Sequence, residues 1–172
     1  DLSDMGLNVL VKVSIGGCEG SCWIDLQPRN SYKYGSGGLL LSNVFMVDKA
    51  QFTLNTRLAN VDTFTILASL YSAARVDLVS EEVTISVGGL EWTLAPGAFK
   101  QAGKKPVYTY RGGKTDQLAS VQVNLQKGTM RITGKTLDLR GISDLVEISV
   151  AGGTFSGSAT IQLEHRGNGY RY

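Results

Sequence analysis

Histidine, cysteine, tryptophan and proline are all scarce here: one His, two Cys, two Trp and three Pro in 172 residues. The single His165 limits acid–base chemistry. A Ser-His-Asp arrangement would have to use it, yet no Gly-x-Ser-x-Gly elbow accompanies it, and the spacing from Gly153 to Ser156 and Gly157 is wrong for one. Cys18, Cys22 and His165 fall short of the four ligands of a structural zinc site. Asp48, Asp62 and Asp77 lie in no Asp-x-Asp-x-Asp-Gly calcium loop, and the glycines at 35, 37 and 38 lack the Lys and helix of a phosphate loop. Carboxylate pairs such as Glu81 with Glu82, or Glu147 with Glu164, read as the solvent faces of strands rather than as glycosidase acids. No apolar run is long enough to cross a bilayer as a helix. The net charge of +2, from 17 basic and 15 acidic residues, is too mild to point to nucleic acid. These absences predict a protein that is not an enzyme, with no cofactor, no metal, no nucleic-acid partner and no membrane span.

What is abundant points to strands. Glycine occurs 21 times and hydrophobic residues make up 42% of the chain, enough for a substantial core. Val, Ile and Thr recur in alternating runs that stop at glycines, the pattern of half-buried strands entering tight turns. Only residues 64–74 offer a helical spacing, through Ile66, Leu67, Leu70, Tyr71 and Ala74; the alternation of Phe64, Ile66, Ala68 and Leu70 competes with it.

A repeated pattern decides for strand. Val11, Val13 and Ile15 run into Gly16 and Gly17; Val83, Ile85 and Val87 run into Gly88 and Gly89; Val146, Ile148 and Val150 run into Gly152 and Gly153. Each run is followed by a second apolar stretch and then by a Tyr-x-Tyr triplet: Tyr32 and Tyr34, Tyr108 and Tyr110, Tyr170 and Tyr172. Three matches in the same order suggest internal duplication. The stretch at 64–70 precedes the second copy and that at 130–137 the third, so the first copy looks partial. The fold class expected is all-β, with tandem or fused antiparallel Ig-like sandwich units and little or no helix. A weak boundary in the polar break at 100–105 gives units 1–105 and 106–172, with one fused domain as the alternative.

From Gly97 to Leu163 the chain resembles a loose group of uncharacterised bacterial secreted proteins. The resemblance rests on Gly97 to Lys100, Gly103 to Lys105, the Tyr108–Tyr110 triplet, Lys127 to Lys135, Leu137 to Leu139 and Gly153 to Ala159. It implies export and a β-sandwich, and carries over no catalytic or binding residue.

Cys18 and Cys22 flank Glu19, Gly20 and Ser21; a three-residue turn there would bring the cysteines opposite each other, within disulfide reach. Such a bond suits an oxidising, extracellular setting. In a strand, the two tyrosines of each triplet share a face, as packing residues, as an assembly contact or as a platform for sugar rings. The leading expectation is a structural subunit of an extracellular, pilus-like filament or surface layer. A partial first repeat can be completed within the chain or by a neighbouring copy, and in the second case the assembly strand would carry Leu7, Val9, Val11, Val13 and Ile15. The alternative is an adhesion module for carbohydrate or a surface protein.

Overall fold

A computed structural model describes residues 7–15, 18–29, 33–36, 44–55, 57–71, 76–167 and 169–172; over 7–36, and at Tyr71, only the backbone is described. The chain divides into two compact units, residues 1–42 and 43–172. The described residues form strands and turns, with no helix among them.

The first unit holds a three-stranded antiparallel sheet in the order β1 (Leu7–Ile15), β2 (Cys18–Arg29) and β3 (Lys33–Ser36). All nine residues of β1 have partners in β2, from Leu7 opposite Leu26 to Ile15 opposite Cys18.

The second unit carries β4 (Val44–Thr53), β5 (Asp62–Tyr71), β6 (Val83–Val87), β7 (Leu90–Leu94), β8 (Lys100–Gln101), β9 (Val107–Arg111), β10 (Leu118–Asn124), β11 (Thr129–Leu137), β12 (Leu145–Gly152), β13 (Phe155–Gln162), β14 (Glu164–His165) and β15 (Gly169–Arg171). They make an eight-stranded sheet, β14-β15-β4-β5-β11-β10-β9-β8, and a four-stranded sheet, β13-β12-β6-β7, both antiparallel. The alternation read in the sequence is the alternation of burial. Val83, Ile85 and Val87 of β6 point inward, as do Val146, Ile148 and Val150 of β12, while their neighbours face out. Phe64, Ile66, Ala68 and Leu70 of β5 are likewise buried, so residues 64–70 are strand.

Glycine makes the turns between these strands. The β6–β7 reversal runs through Gly88 and Gly89, at φ +58° and +86°, the left-handed pair that suits the twist of a two-residue hairpin. One core joins the buried faces of both sheets, with Ile66, Val121 and Ile132 from the larger and Ile85, Val146 and Ile148 from the smaller. Gly157 of β13 lets the smaller sheet approach the larger closely, because a Cβ there would stand 2.5 Å from the Cβ of Phe45 on β4. The unit is thus a pair of antiparallel sheets consistent with a β-sandwich.

The expected division at 100–105 is corrected. Residues on both sides of it share both sheets: Ile66 of β5 pairs with Ile132 of β11, and Ile85 of β6 with Val150 of β12. The stretch at 100–105 is the turn of a small hairpin, in which Gln101 Nε2 donates to the Lys105 carbonyl at 2.9 Å and the Ala102 amide to the Val107 carbonyl at 2.8 Å. The break in compactness comes at residue 42 instead.

Candidate functional site

The cysteines do not sit across a turn. Both lie on the continuous strand β2, four residues apart, Cys18 opposite Ile15 and Cys22 opposite Val11. Four extended residues span roughly 13 Å, about twice the Cα separation a disulfide bridges. The expectation of a Cys18–Cys22 bond is corrected on that ground. The usable signal was the glycine pair before Cys18, which matches the glycines that end β6 and β12 in the same pattern.

The candidate assembly residues Leu7, Val9, Val11, Val13 and Ile15 all fall on β1, at one edge of the three-stranded sheet and paired along its other side to β2. A second long edge is β13, eight residues ending the four-stranded sheet. Its sequence holds no charge and no proline, and its outward residues are Ser156, Ser158, Thr160 and Gln162. The other edges in this unit are shorter: β8 and β14 have two residues each and β7 has five.

The tyrosines have diverse fates. Tyr32 lies outside the described residues, and Tyr34 is placed by its backbone on β3, opposite Pro28. Tyr108 is a core residue, 5% exposed, which removes it as an aromatic platform; its hydroxyl donates to the Val76 carbonyl at 3.4 Å. Tyr110, on the same face of β9, is half-buried and stacks at a tilt on Phe99 with centroids 6.1 Å apart. Tyr170 meets the exposed His165 edge-on at 5.2 Å, and Tyr172 is exposed. The strand alternation that put Tyr108 and Tyr110 on one face was legible; that the face is the inner one follows from the packing.

Burial pushes the Tyr110 hydroxyl above its ordinary value of 10.0, and the charge of Asp116 and a hydrogen bond to it push the same way. A raised folded-state value means the folded protein holds this proton more tightly than the unfolded chain. The associated stability is intact below the ordinary value and is lost as pH climbs through the raised one. Asp116→Asn is expected to bring the Tyr110 titration partway back, burial being the largest cause. Phenolate absorbance, with Tyr110→Phe as the subtraction, checks it; an unchanged curve in Asp116→Asn would contradict the coupling.

The acidic candidates are scattered. Asp62 is 2% exposed and accepts hydrogen bonds from the Asn55 and Leu139 amides, both at 2.7 Å. Asp48 accepts from Ser69 Oγ, and Asp77 from the Val79 amide and Ser80 Oγ. Glu147 lies on β12 and Glu164 on β14, in different sheets. Glu81 Oε2 is buried against Gly153 without a hydrogen-bond partner. Among the described residues no three His, Cys, Asp or Glu side chains converge as a metal cage. A cavity of about 20 Å³ between the sheets, with Leu70, Phe99, Met130 and Phe155 in its wall, is lined by apolar atoms alone and offers a water no polar partner.

The exposed face of the eight-stranded sheet is the feature that sequence reading missed. Strand register aligns Lys49, Leu67, Arg131, Gln122, Thr109 and Lys100 in one row across β4, β5, β11, β10, β9 and β8. Two residues along each strand, a second row aligns Arg171, Gln51, Thr65, Thr133, Ser120 and Arg111. No local motif announces these rows, because neighbours in them come from distant parts of the chain.

Comparison with protein families, with curated proteins and with solved structures gives no match for this chain.

Proposed function

We propose that the protein is a non-catalytic structural subunit of an extracellular assembly, joined to neighbouring copies through its sheet edges. The observation that carries this reading is the pair of long edge strands, β1 with nine residues and β13 with eight. An edge presents a row of unpaired amides and carbonyls, and proteins usually blunt a long one with Lys, Pro or a bulge. β13 has no such device along its length. The matched lengths allow β1 of one copy to add beside β13 of the next. Two different edges on one chain make a contact that repeats rather than closes, which is the geometry of a filament.

Duplication supports the same reading. β5 lies beside β11 and β6 beside β12, so the segments of similar sequence are neighbours at the middle of each sheet. We read this as two copies of an Ig-like hairpin unit fused into one sandwich, with β1 and β2 belonging to a further copy. The resemblance of residues 97–163 to exported bacterial proteins supports an extracellular location.

The test is an edge charge. Ser158 and Thr160 point outward from β13, and Thr160 stands opposite Glu147 on β12, so a lysine is tolerated there. Wild-type protein is expected to form concentration-dependent oligomers in light scattering, and the Ser158→Lys, Thr160→Lys variant to remain monomeric with an unchanged melt. Wild-type protein that stays monomeric at high concentration rejects the proposal.

The alternative, an adhesion module for carbohydrate or a surface protein, draws on the two cationic rows of the larger sheet.

A further inference from the structure

The two sheets of residues 43–172 differ in the charge of their outer faces. β6, β7, β12 and β13 contain no Lys or Arg. The outward rows of that sheet are Ser156, Ala151, Thr84 and Thr93, then Ser158, Ser149, Ser86 and Glu91, then Thr160 beside Glu147. The larger sheet carries Lys49, Arg131 and Lys100 in one exposed row and Arg171 and Arg111 in the next. Its exposed acidic residues are Asp48, which accepts from Ser69, and Glu164 at the edge beside Arg171, Glu164 being held by Arg166. Among the described residues the ion pairs are Arg140 with Asp138 and Arg166 with Glu164, so the five cations of the rows are in none. With strands about 4.8 Å apart, the row from Lys49 on β4 to Lys100 on β8 crosses five strand spacings, roughly 24 Å.

A chain whose net charge is only +2 thus concentrates unpaired cations on one sheet face. Unpaired like charges held in register repel one another, and a polyanion laid along the row relieves that repulsion while releasing its own counterions. What lies between the cations selects the kind of polyanion. Gln122, Thr109, Gln51, Thr65, Thr133 and Ser120 supply hydroxyl and amide groups that match sugar hydroxyls. No aromatic ring stands in either row, and unpaired nucleic acid is held largely by bases stacked on aromatic rings. The arginines can take carboxylate or sulfate groups through paired N–H donors.

We infer that the outer face of the eight-stranded sheet binds a linear acidic polysaccharide, its carboxylate or sulfate groups lying along the row from Lys49 through Arg131 to Lys100. The ligand chain crosses the strands, and Arg171 and Arg111 flank it at opposite ends of the second row. The rows lie on the eight-stranded sheet and the β13 edge on the four-stranded one.

The test measures binding of the full chain to heparin and to polygalacturonate, with neutral dextran and single-stranded DNA as comparisons, across a salt series. Expected is binding to at least one acidic polysaccharide that weakens linearly in log affinity with log salt, and none to dextran. Lys49→Glu with Arg131→Glu is expected to weaken it by about tenfold or more, equivalent to ~1.4 kcal/mol. Glu91→Gln with Glu147→Gln, on the other face, leaves it unchanged. Should the reversal variant melt early, Arg131→Gln with Arg171→Gln tests the same rows without introducing acids. The inference is overturned if neither polysaccharide binds, if DNA binds more tightly than both, or if Lys104→Glu with Lys105→Glu, in the loop off these rows, weakens binding as much as reversal within the rows.

Discussion

Asp62→Ala should lower the melting temperature of residues 43–172 by roughly 10–20 °C, the largest effect expected of any single substitution that removes so few atoms. Asp62 opens β5 and is almost fully buried, yet its carboxylate has a complete set of reasons to be there. One oxygen takes the amide of Asn55 and the other that of Leu139. Those amides belong to two different connections, the β4–β5 loop and the segment between β11 and β12. The β4–β5 loop is further organised by the Asn55 side chain, which accepts the Arg57 and Leu58 amides at 2.9 and 2.8 Å, and it turns through Asn60 at φ +57°. Alanine would leave two amides without partners, one of them at the 3% exposed Leu139. A hydrogen bond to a charged group contributes about 1.5–3 kcal/mol, so losing both costs about 3–5 kcal/mol. Asp48→Ala is the control. Asp48 is exposed and holds only Ser69 Oγ, so its loss should stay within about 0.5 kcal/mol. Thermal melts of the two variants, with hydrogen exchange at the Leu139 amide, check the argument. Equal melting temperatures for the two would reject it.

The second large effect is expected at Gly134, where it is the lack of a side chain that matters. Gly134 of β11 is the register partner of Phe64 on β5. A Cβ at 134 would fall 2.3 Å from Phe64 Cε1 and 2.7 Å from both Cδ1 and Cζ, so the ring lies over the glycine. The ring has nowhere to swing, because it is 1% exposed and packs at a tilt against Phe52 and Trp92, with centroids 5.8 and 5.9 Å away. Gly134→Val must therefore displace Phe64, at a cost near the upper end of overpacking, about 3 kcal/mol. The cause is steric and specific to one neighbour, which makes it separable. Adding Phe64→Leu to Gly134→Val should recover part of the loss, and a double-mutant cycle should show favourable coupling of about 1 kcal/mol or more. Additive losses would mean that the glycine is required for some reason other than the ring above it.

Both sites show why parts of this protein could be read from its sequence and parts could not. Phe64 and the stretch at 130–137 that holds Gly134 were legible as strand, but their contact joins strands far apart in the chain. Asp62 read as one more acidic residue because nothing local shows that the carboxylate faces inward. The charge segregation between sheets has the same origin: Lys49, Arg131 and Lys100 fall in one row only through five successive strand pairings.

By itself the sequence determined an all-β chain, the alternation of β6 and β12, the glycine reversal after Val87, and strand rather than helix at 64–70. Those are local properties, set by a side-chain period of two and by the few residues that tolerate left-handed turns. Only the tertiary structure decided that residues 43–172 form one unit across the expected break at 100–105, that Tyr108 is core, that Cys18 and Cys22 share one strand, and that five cations lie in two rows. Alternation says that a strand has two faces, but which face is inner, and which strand lies beside it, depends on long-range pairing that buries the most apolar surface.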